Sequence, residues 1–485
     1  MYNNIPILSK LNNYGESGLK TPIRGSDIAE QLVGKKGHFS NEIKKTDSFT
    51  NDKYEVLNSR NNLISYLPQT ESNSIIDPNN RRATTTHKEL HDFVVDFDLR
   101  KFGIGFGHRV AIIMPNGPDL AVCLICIISG WCAAPINSTG AVNEIRSELE
   151  STGAKAVIIL KGRANNEAII DAASKISIGV LELSPNDDKC GLFSLELLKP
   201  AQDSIKEANI SVAESVEGFD SYSNPQTVLL LHTSGTSGNK KCVPYSLDMI
   251  IVGVACIISS WNLSPPDICL NMMPLFHIGG IMRNILSPLL SGGSVITCSA
   301  FDANLFWELL KVNNFTWYYA APTMHHAILK ASEGVERPLP VKTVRFIANA
   351  AGGLLPILAQ SLKDTFDAVI LTSYGMTECM PISSPTQSYS LDPNGTSGKA
   401  VGPDIIITNE ERTEIQPTGI AGNILVRGPP CFGGYESNKA SNDESFFTIN
   451  GIKGWFDTGD MVIIIIIITI IIIIIIIIII ITTHT

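Results

Sequence analysis

The chain of 485 residues has no excess of positive charge. Its 37 lysines and arginines stand against 47 aspartates and glutamates, for a formal net charge of −10. No basic stripe stands out, which argues against nucleic acid as the main partner, since phosphate backbones are bound through concentrated Lys and Arg. Ten cysteines are scattered without metal spacing. Cys123 and Cys126 form a C-x-x-C inside the apolar run Leu120 to Ile128, with no second pair and no nearby histidine. That placement reads as core packing rather than zinc or redox chemistry. No apolar leader opens the chain, because Ile5 to Leu8 is too short for a signal peptide. Reduced thiols in the cytoplasm are the default setting. No internal repeat is visible.

What is present begins with Leu229 to Pro244, LLLHTSGTSGNKKCVP. An apolar strand pattern ends at Leu231. A loop of small residues follows, Thr233, Ser234, Gly235, Thr236, Ser237 and Gly238, closed by Lys240 and Lys241. Glycines let backbone N–H groups converge on an anion, hydroxyls add donors, and a lysine adds charge. The loop suits a nucleoside triphosphate. A flexible Gly/Ser linker is the alternative, weakened by the apolar run directly before the loop. The G-x-x-x-x-G-K-[ST] spacing of a P-loop NTPase is absent.

Residues 1–55 are polar and without sustained period, and read as a poorly ordered extension. From residue 56 to 462 short apolar runs alternate with helical patterns. Strand candidates are Val110 to Met114, Ala156 to Leu160, Val228 to Leu231, Ser294 to Thr297, Trp317 to Ala320, Val344 to Ala348 and Ala368 to Leu371. Leu120 to Ile128 reads as a buried helix, with Pro118 placed to start it. The alternation predicts an α/β architecture with largely parallel sheets over 56–400. Past residue 400, Ile405 to Thr408 and Asn423 to Val426 sit between Gly, Pro and Asn turns, and predict a smaller β-rich subdomain over 401–462. Residues 463–481 are isoleucine except Thr469. The stretch has the length of a transmembrane helix. It lacks the mixed composition and the charged or aromatic anchors of natural spans, and reads as a low-complexity tract, 463–485 forming an aberrant tail. No membrane partner is expected unless that tail is genuine. If made, it is an aggregation hazard.

Three further segments join the loop in order: Met273-Pro-Leu-Phe-His277-Ile-Gly-Gly280, Ser373-Tyr374-Gly375-Met376-Thr377-Glu378, and Gly454-Trp455-Phe456-Asp457-Thr458-Gly459-Asp460. Taken singly, His277 could be a core histidine and the other two ordinary turns. Together they resemble the adenylate-forming superfamily of acyl- and aryl-CoA synthetases, peptide-synthetase adenylation domains and luciferases. The loop is similar to that family's TSGTTG-x-PKG signature, with Lys240 where proline is usual, Cys242 where glycine is usual, and Lys241 at the signature lysine. YGMTE and GWFDTGD match the family's patterns, and residues 422–435, GNILVRGPPCFGGY, resemble its G-E-x-x-V-R-G segment with Asn423 in place of Glu. LHTSGT and Asn314 to Leu329 look similar to oxalate-CoA ligases and their plant and fungal relatives.

The resemblance implies a two-step reaction. A carboxylate attacks the α-phosphorus of ATP and expels pyrophosphate; a thiol, of CoA or a carrier arm, then displaces AMP. Thr233, Ser234, Thr236 and Lys241, within the loop that also holds Gly235, Ser237 and Gly238, would hold the β- and γ-phosphates. Thr377 would donate to the α-phosphate, and Glu378 would bind Mg2+. Tyr374 would stack on adenine beside Ala351, Gly352 and Gly353, Asp460 would accept from the ribose hydroxyls, and His277 would sit at the acyl pocket or its mouth. Arg283 could pair with a second carboxylate of a diacid, although a surface or helix-end arginine is the commoner case. His325 and His326 follow Pro322 in an expected loop; one could line the substrate cleft, although solvent-facing histidines are the commoner case.

The family also carries a small C-terminal domain after the TGD motif, with an arginine and a lysine that act on ribose and on the reacting carboxylate. Isoleucines stand in its place here. The chain as written is therefore expected to bind ATP weakly and to make little adenylate. The leading function is an AMP-forming ligase that joins a small carboxylic acid to CoA. The alternatives are the adenylation part of a carrier-protein system and an inactive nucleotide-binding fragment. The expected location is the cytoplasm, with the peroxisome open. Acyl substrate and oligomeric state stay open.

Overall fold

The computed structural model describes residues 6–7, 23–24, 62–201, 227–233, 240–336, 338–349, 351–392, 395–417, 419–469 and 473–481; beyond Val462 it describes the backbone alone. The expected extension over 1–55 and the loop residues Ser234, Gly235, Thr236, Ser237 and Gly238 lie outside the described residues, apart from residues 6–7 and 23–24.

Two seven-stranded sheets carry the α/β part. In the first, Arg109–Ile113 lies between Cys132–Pro135 and Ala156–Leu160, all parallel. Gly179–Pro185 extends it in parallel, and antiparallel pairs close both ends: Phe193–Lys199 at one, Thr227–His232 with Cys242–Ser246 at the other. In the second, Val369–Thr372, Phe346–Asn349, Trp317–Ala320, Ile268–Asn271, Ser294–Thr297 and Asn73–Ile76 run parallel in that order. Their near-continuous apolar runs are what a sheet covered on both faces requires. Each strand expected from the sequence occurs within two residues of its observed bounds.

Helix Leu247–Trp261, buried almost throughout, packs against strands Cys379–Ser384 and Lys399–Gly402 and the helical segments Gly279–Leu286 and Ser287–Leu290. Its first turn is capped by the Ser246 hydroxyl, which accepts from the Met249 N–H at 3.3 Å, and it stops at Asn262 in left-handed conformation. Gly253 lets it approach closely, since a Cβ there would lie 2.3 Å from the Met380 carbonyl oxygen. Helix Pro118–Ile128 starts with proline in its first turn and buries Cys123 and Cys126 in the main core.

The third part is antiparallel. Asp404–Thr408 pairs with Ala421–Arg427, which pairs with Ile452–Thr469, which also takes Phe446–Ile449. The isoleucine tract folds back on itself as a hairpin, Ile452–Thr469 against Ile473–Ile481, from Met461 opposite Ile481 to Thr469 opposite Ile473. β-branched residues favour this extended backbone. Among the described residues, no helix is long and apolar enough to cross a membrane.

Candidate active site

Three of the motifs meet because each follows the end of a strand, and the fourth, Gly454 to Asp460, lies within strand Ile452–Thr469. Thr227–His232 runs into Thr233, and the return strand starts at Cys242, so the two ends of the glycine-rich loop lie side by side. The Thr233 N–H donates to the Lys241 carbonyl at 3.0 Å. In the second sheet the carboxyl ends of parallel neighbours deliver Met273 to Gly280, Tyr319, Ala351 to Gly353 and Ser373 to Glu378 to one edge. That edge is where ligands of open α/β sheets bind.

A cavity of about 550 Å³ opens there. Among its lining residues are Thr233, Lys241, His277, Ala351, Thr377 and Glu378, six of the expected site residues. Tyr374 and Asp460 adjoin it as a pair, the Tyr374 hydroxyl donating to Asp460 Oδ2 at 2.5 Å. Burial, then the Asp460 charge, holds the Tyr374 phenol well above its usual pKa. Gly352 and Gly353 are exposed beside Ala351 and are not on the cavity wall, while the Gly352 carbonyl accepts from Asn349 Nδ2 at 3.0 Å.

Glu378 is 5% exposed. Burial pushes its carboxyl above the usual range, opposed by the Tyr435 hydroxyl and then by the Lys241 charge. The Tyr435 hydroxyl donates to Glu378 Oε1 at 2.6 Å, and the Lys241 ammonium lies over the Tyr435 ring, 4.7 Å from its centre. The segment bearing Tyr435 is fixed on both sides. The Phe432 N–H donates to the Glu378 carbonyl at 2.9 Å, and the Glu436 N–H donates to the Cys242 carbonyl at 3.0 Å. Glu436 also pairs with Arg109 at 2.7 Å. Lys240, where proline is usual, turns outward and pairs with Glu148, which leaves Lys241 as the cation at the cavity.

His277 is exposed at the cavity, its ring 4.5 Å from that of Phe276. The protein around it still disfavours the imidazolium and lowers its pKa. The residues after it form a π-helix, Gly279–Leu286, a rare element that is frequent at functional sites. Its glycines are required by contact: a Cβ on Gly280 would lie 2.2 Å from the Pro274 carbonyl oxygen, and one on Gly279 would lie 2.8 Å from the Tyr319 hydroxyl.

Two expectations are corrected. Arg283 is neither a surface nor a helix-end arginine. It is 0% exposed within the π-helix, its guanidinium 5.0 Å from the Tyr319 ring and 5.7 Å from the Trp261 ring. All three of its side-chain nitrogens lack a hydrogen-bond partner. Burial lowers its pKa, and the nearby Tyr319 hydroxyl offsets part of this without reaching hydrogen-bonding geometry. Arg283 is not on the cavity wall; Tyr319 is. His325 and His326 lie not in a loop but on helix Pro322–Ala331. His326 is exposed, but His325 is fully buried beside the Tyr318 hydroxyl, 3.3 Å from its Nδ1.

Sequence reasoning also passed over Tyr435 and Tyr319. Both stand in segments it singled out: Tyr435 closes GNILVRGPPCFGGY, and Tyr319 lies in NFTWYYAAPTMHHAIL. A tyrosine ending a Gly-Gly turn was the available signal. Its contact with Glu378 was not, because the two are 57 positions apart.

A polyphosphate in this cavity would meet the Lys241 ammonium and Thr233. Among the described residues no group of three or more His, Cys, Asp or Glu side chains gathers to hold an ion. A cation here would rest on Glu378 together with phosphate and water oxygens, which is how Mg2+ is usually held beside nucleotides.

Comparison with known proteins agrees with this geometry. The AMP-binding enzyme family matches residues 69–436. An oxalate–CoA ligase of Arabidopsis thaliana is 31% identical over 390 residues, covering 78% of this chain and 71% of its own. A probable CoA ligase of Humulus lupulus is 32% identical over 386 residues, covering 78% and 69%. The crystal structure of a long-chain-fatty-acid–CoA ligase from Archaeoglobus fulgidus shares the fold, with a TM-score of 0.70 at 17% identity over 83% of this chain and 82% of that one. A match over most of the chain, carried by motifs that converge on one cavity, makes this protein a member of the AMP-binding enzyme family.

Proposed function

We propose that this protein activates a small carboxylic acid with ATP, releasing pyrophosphate, and passes the acyl group to CoA. The observation that carries the reading is one cavity lined by Thr233, Lys241, Thr377, Glu378 and His277. An adenylation site must neutralise charge on three phosphates while admitting a carboxylate at the α-phosphorus. Lys241 and Thr233 hold the β- and γ-phosphates, with Ser234, Gly235, Thr236, Ser237 and Gly238 of the same loop. Thr377 donates to the α-phosphate. Glu378 would hold Mg2+, which would draw charge from the phosphate oxygens when bound.

Tyr374 and Ala351 flank adenine, with Gly352 and Gly353 beside them. Asp460 accepts from the ribose hydroxyls in place of the Tyr374 hydroxyl it accepts from here. The acid enters beside His277, whose lowered pKa favours a neutral ring that can orient a carboxylate without trapping it as an ion pair. The name of the Arabidopsis relative supports a small acid. A cytoplasmic setting suits ten cysteines that are all free.

The test is pyrophosphate release over a panel of mono- and dicarboxylic acids. It is run on this chain and on a version whose residues after Asp460 are replaced by those of the Arabidopsis relative. Acid-dependent release by the replaced version, with thioester formed when CoA is added, supports the reading. No release with any acid, from a version that binds ATP, would overturn it.

A further inference from the structure

Glu378 and Lys241 carry opposite charges and line one cavity, yet no salt bridge joins them. Tyr435 stands between them. Its hydroxyl is spent on the carboxylate at 2.6 Å, and its ring face receives the ammonium at 4.7 Å. A buried carboxylate without a donor seeks the nearest cation. The Lys241 charge is already near enough to lower the pKa of Glu378. Tyr435 gives each group a neutral partner, the carboxylate through a short charge-assisted hydrogen bond and the ammonium through its ring face, so that neither charge needs the other. Its own position is fixed by neighbours on both sides, through Phe432 to Glu378 and through Glu436 to Cys242 and Arg109.

We propose that Tyr435 is a positioning residue that keeps Glu378 and Lys241 apart, so that the phosphate and metal positions stay open before MgATP arrives. This rests on the nucleotide-binding reading of the same cavity. Without the phenol hydroxyl, Glu378 and Lys241 collapse into a direct ion pair, and the nucleotide must break it.

The experiment is calorimetric titration of the full chain with MgATP, in four forms: native, Tyr435→Phe, Lys241→Met, and the double variant. Tyr435→Phe is expected to weaken binding about tenfold in the native background, and less than about twofold when Lys241 is already methionine. A merely structural role for Tyr435 would weaken both backgrounds alike, and that result overturns the proposal. So does native affinity in Tyr435→Phe. The melting temperature of each form, taken without nucleotide, identifies a variant that fails to fold. In that case Tyr435→His, which keeps a ring and an N–H donor, is titrated in both backgrounds. It is expected to bind within about threefold of native, and a tenfold loss in both overturns the proposal. Absence of MgATP binding by the native chain overturns this proposal, and overturns the functional reading as well when the version whose residues after Asp460 are replaced also fails to bind, whereas binding with an indifferent Tyr435 removes this proposal alone.

Discussion

In the proposed reaction Glu378 is the residue on which the chemistry turns. Glu378→Gln keeps an oxygen that can accept from the Tyr435 hydroxyl, so the fold should survive, but a neutral amide is a poor ligand for a hard cation. In the version whose residues after Asp460 are replaced, we expect about a hundredfold loss of Mg2+-dependent pyrophosphate release with an unchanged melting temperature. Unchanged release would remove Glu378 from the metal. Lys241→Ala should cost less, about tenfold, because in the proposed reaction one flexible lysine would share the phosphates with backbone donors. Arg283 poses the opposite case. Its charge is fully buried and meets two aromatic faces but no acid. Replacing an unpaired buried charge by an apolar chain of similar length removes a desolvation penalty. Arg283→Met should therefore stabilise the protein by about 1–4 kcal/mol in urea unfolding. Destabilisation would mean that the guanidinium has an anionic partner in solution.

At the scale of elements, the second sheet and its helices set what titrates. Helix Pro322–Ala331 carries His325 into the core, where burial pushes the pKa from 6.5 down to about 3. The native ring is thus neutral while the unfolded ring takes up a proton below pH 6.5. Stability from this group is complete above pH 6.5 and is lost as pH falls toward 3, by at most about 1.4 kcal/mol per pH unit. His325→Leu should flatten that part of the stability profile, read as urea midpoints at pH 7 and pH 5. An unchanged slope would show that the histidine is protonated in the native state. The neighbouring π-helix is tied to the site in another way. Gly279 and Gly280 allow its first turn to press against Tyr319 and Pro274, and so bring His277 to the cavity.

For the molecule as a whole, the isoleucine hairpin extends the antiparallel sheet without a charge from Met461 to Thr469 or from Ile473 to Ile481, the kind of edge that recruits further copies. Deleting residues 463–485 should reduce self-association in light scattering and leave MgATP affinity within about twofold, since the cavity lining ends at Thr458. Equal scattering with and without the tail would clear the hairpin of that role. The sequence by itself determined the alternation of strands and helices, the order of four motifs and hence the family. These follow from local chemistry: apolar runs for covered parallel strands, Pro118 for a helix start, and glycine and hydroxyl residues for an anion loop. It also pointed to Glu378, Thr377, Lys241 and His277, because each lies inside a motif. Only the tertiary structure decided that Arg283 and His325 are buried, that Lys240 turns away to Glu148, and that Tyr435 stands between Glu378 and Lys241. Burial and charge pairing depend on which strand ends the sheet order brings together, and no local pattern encodes a contact between residues 57 positions apart.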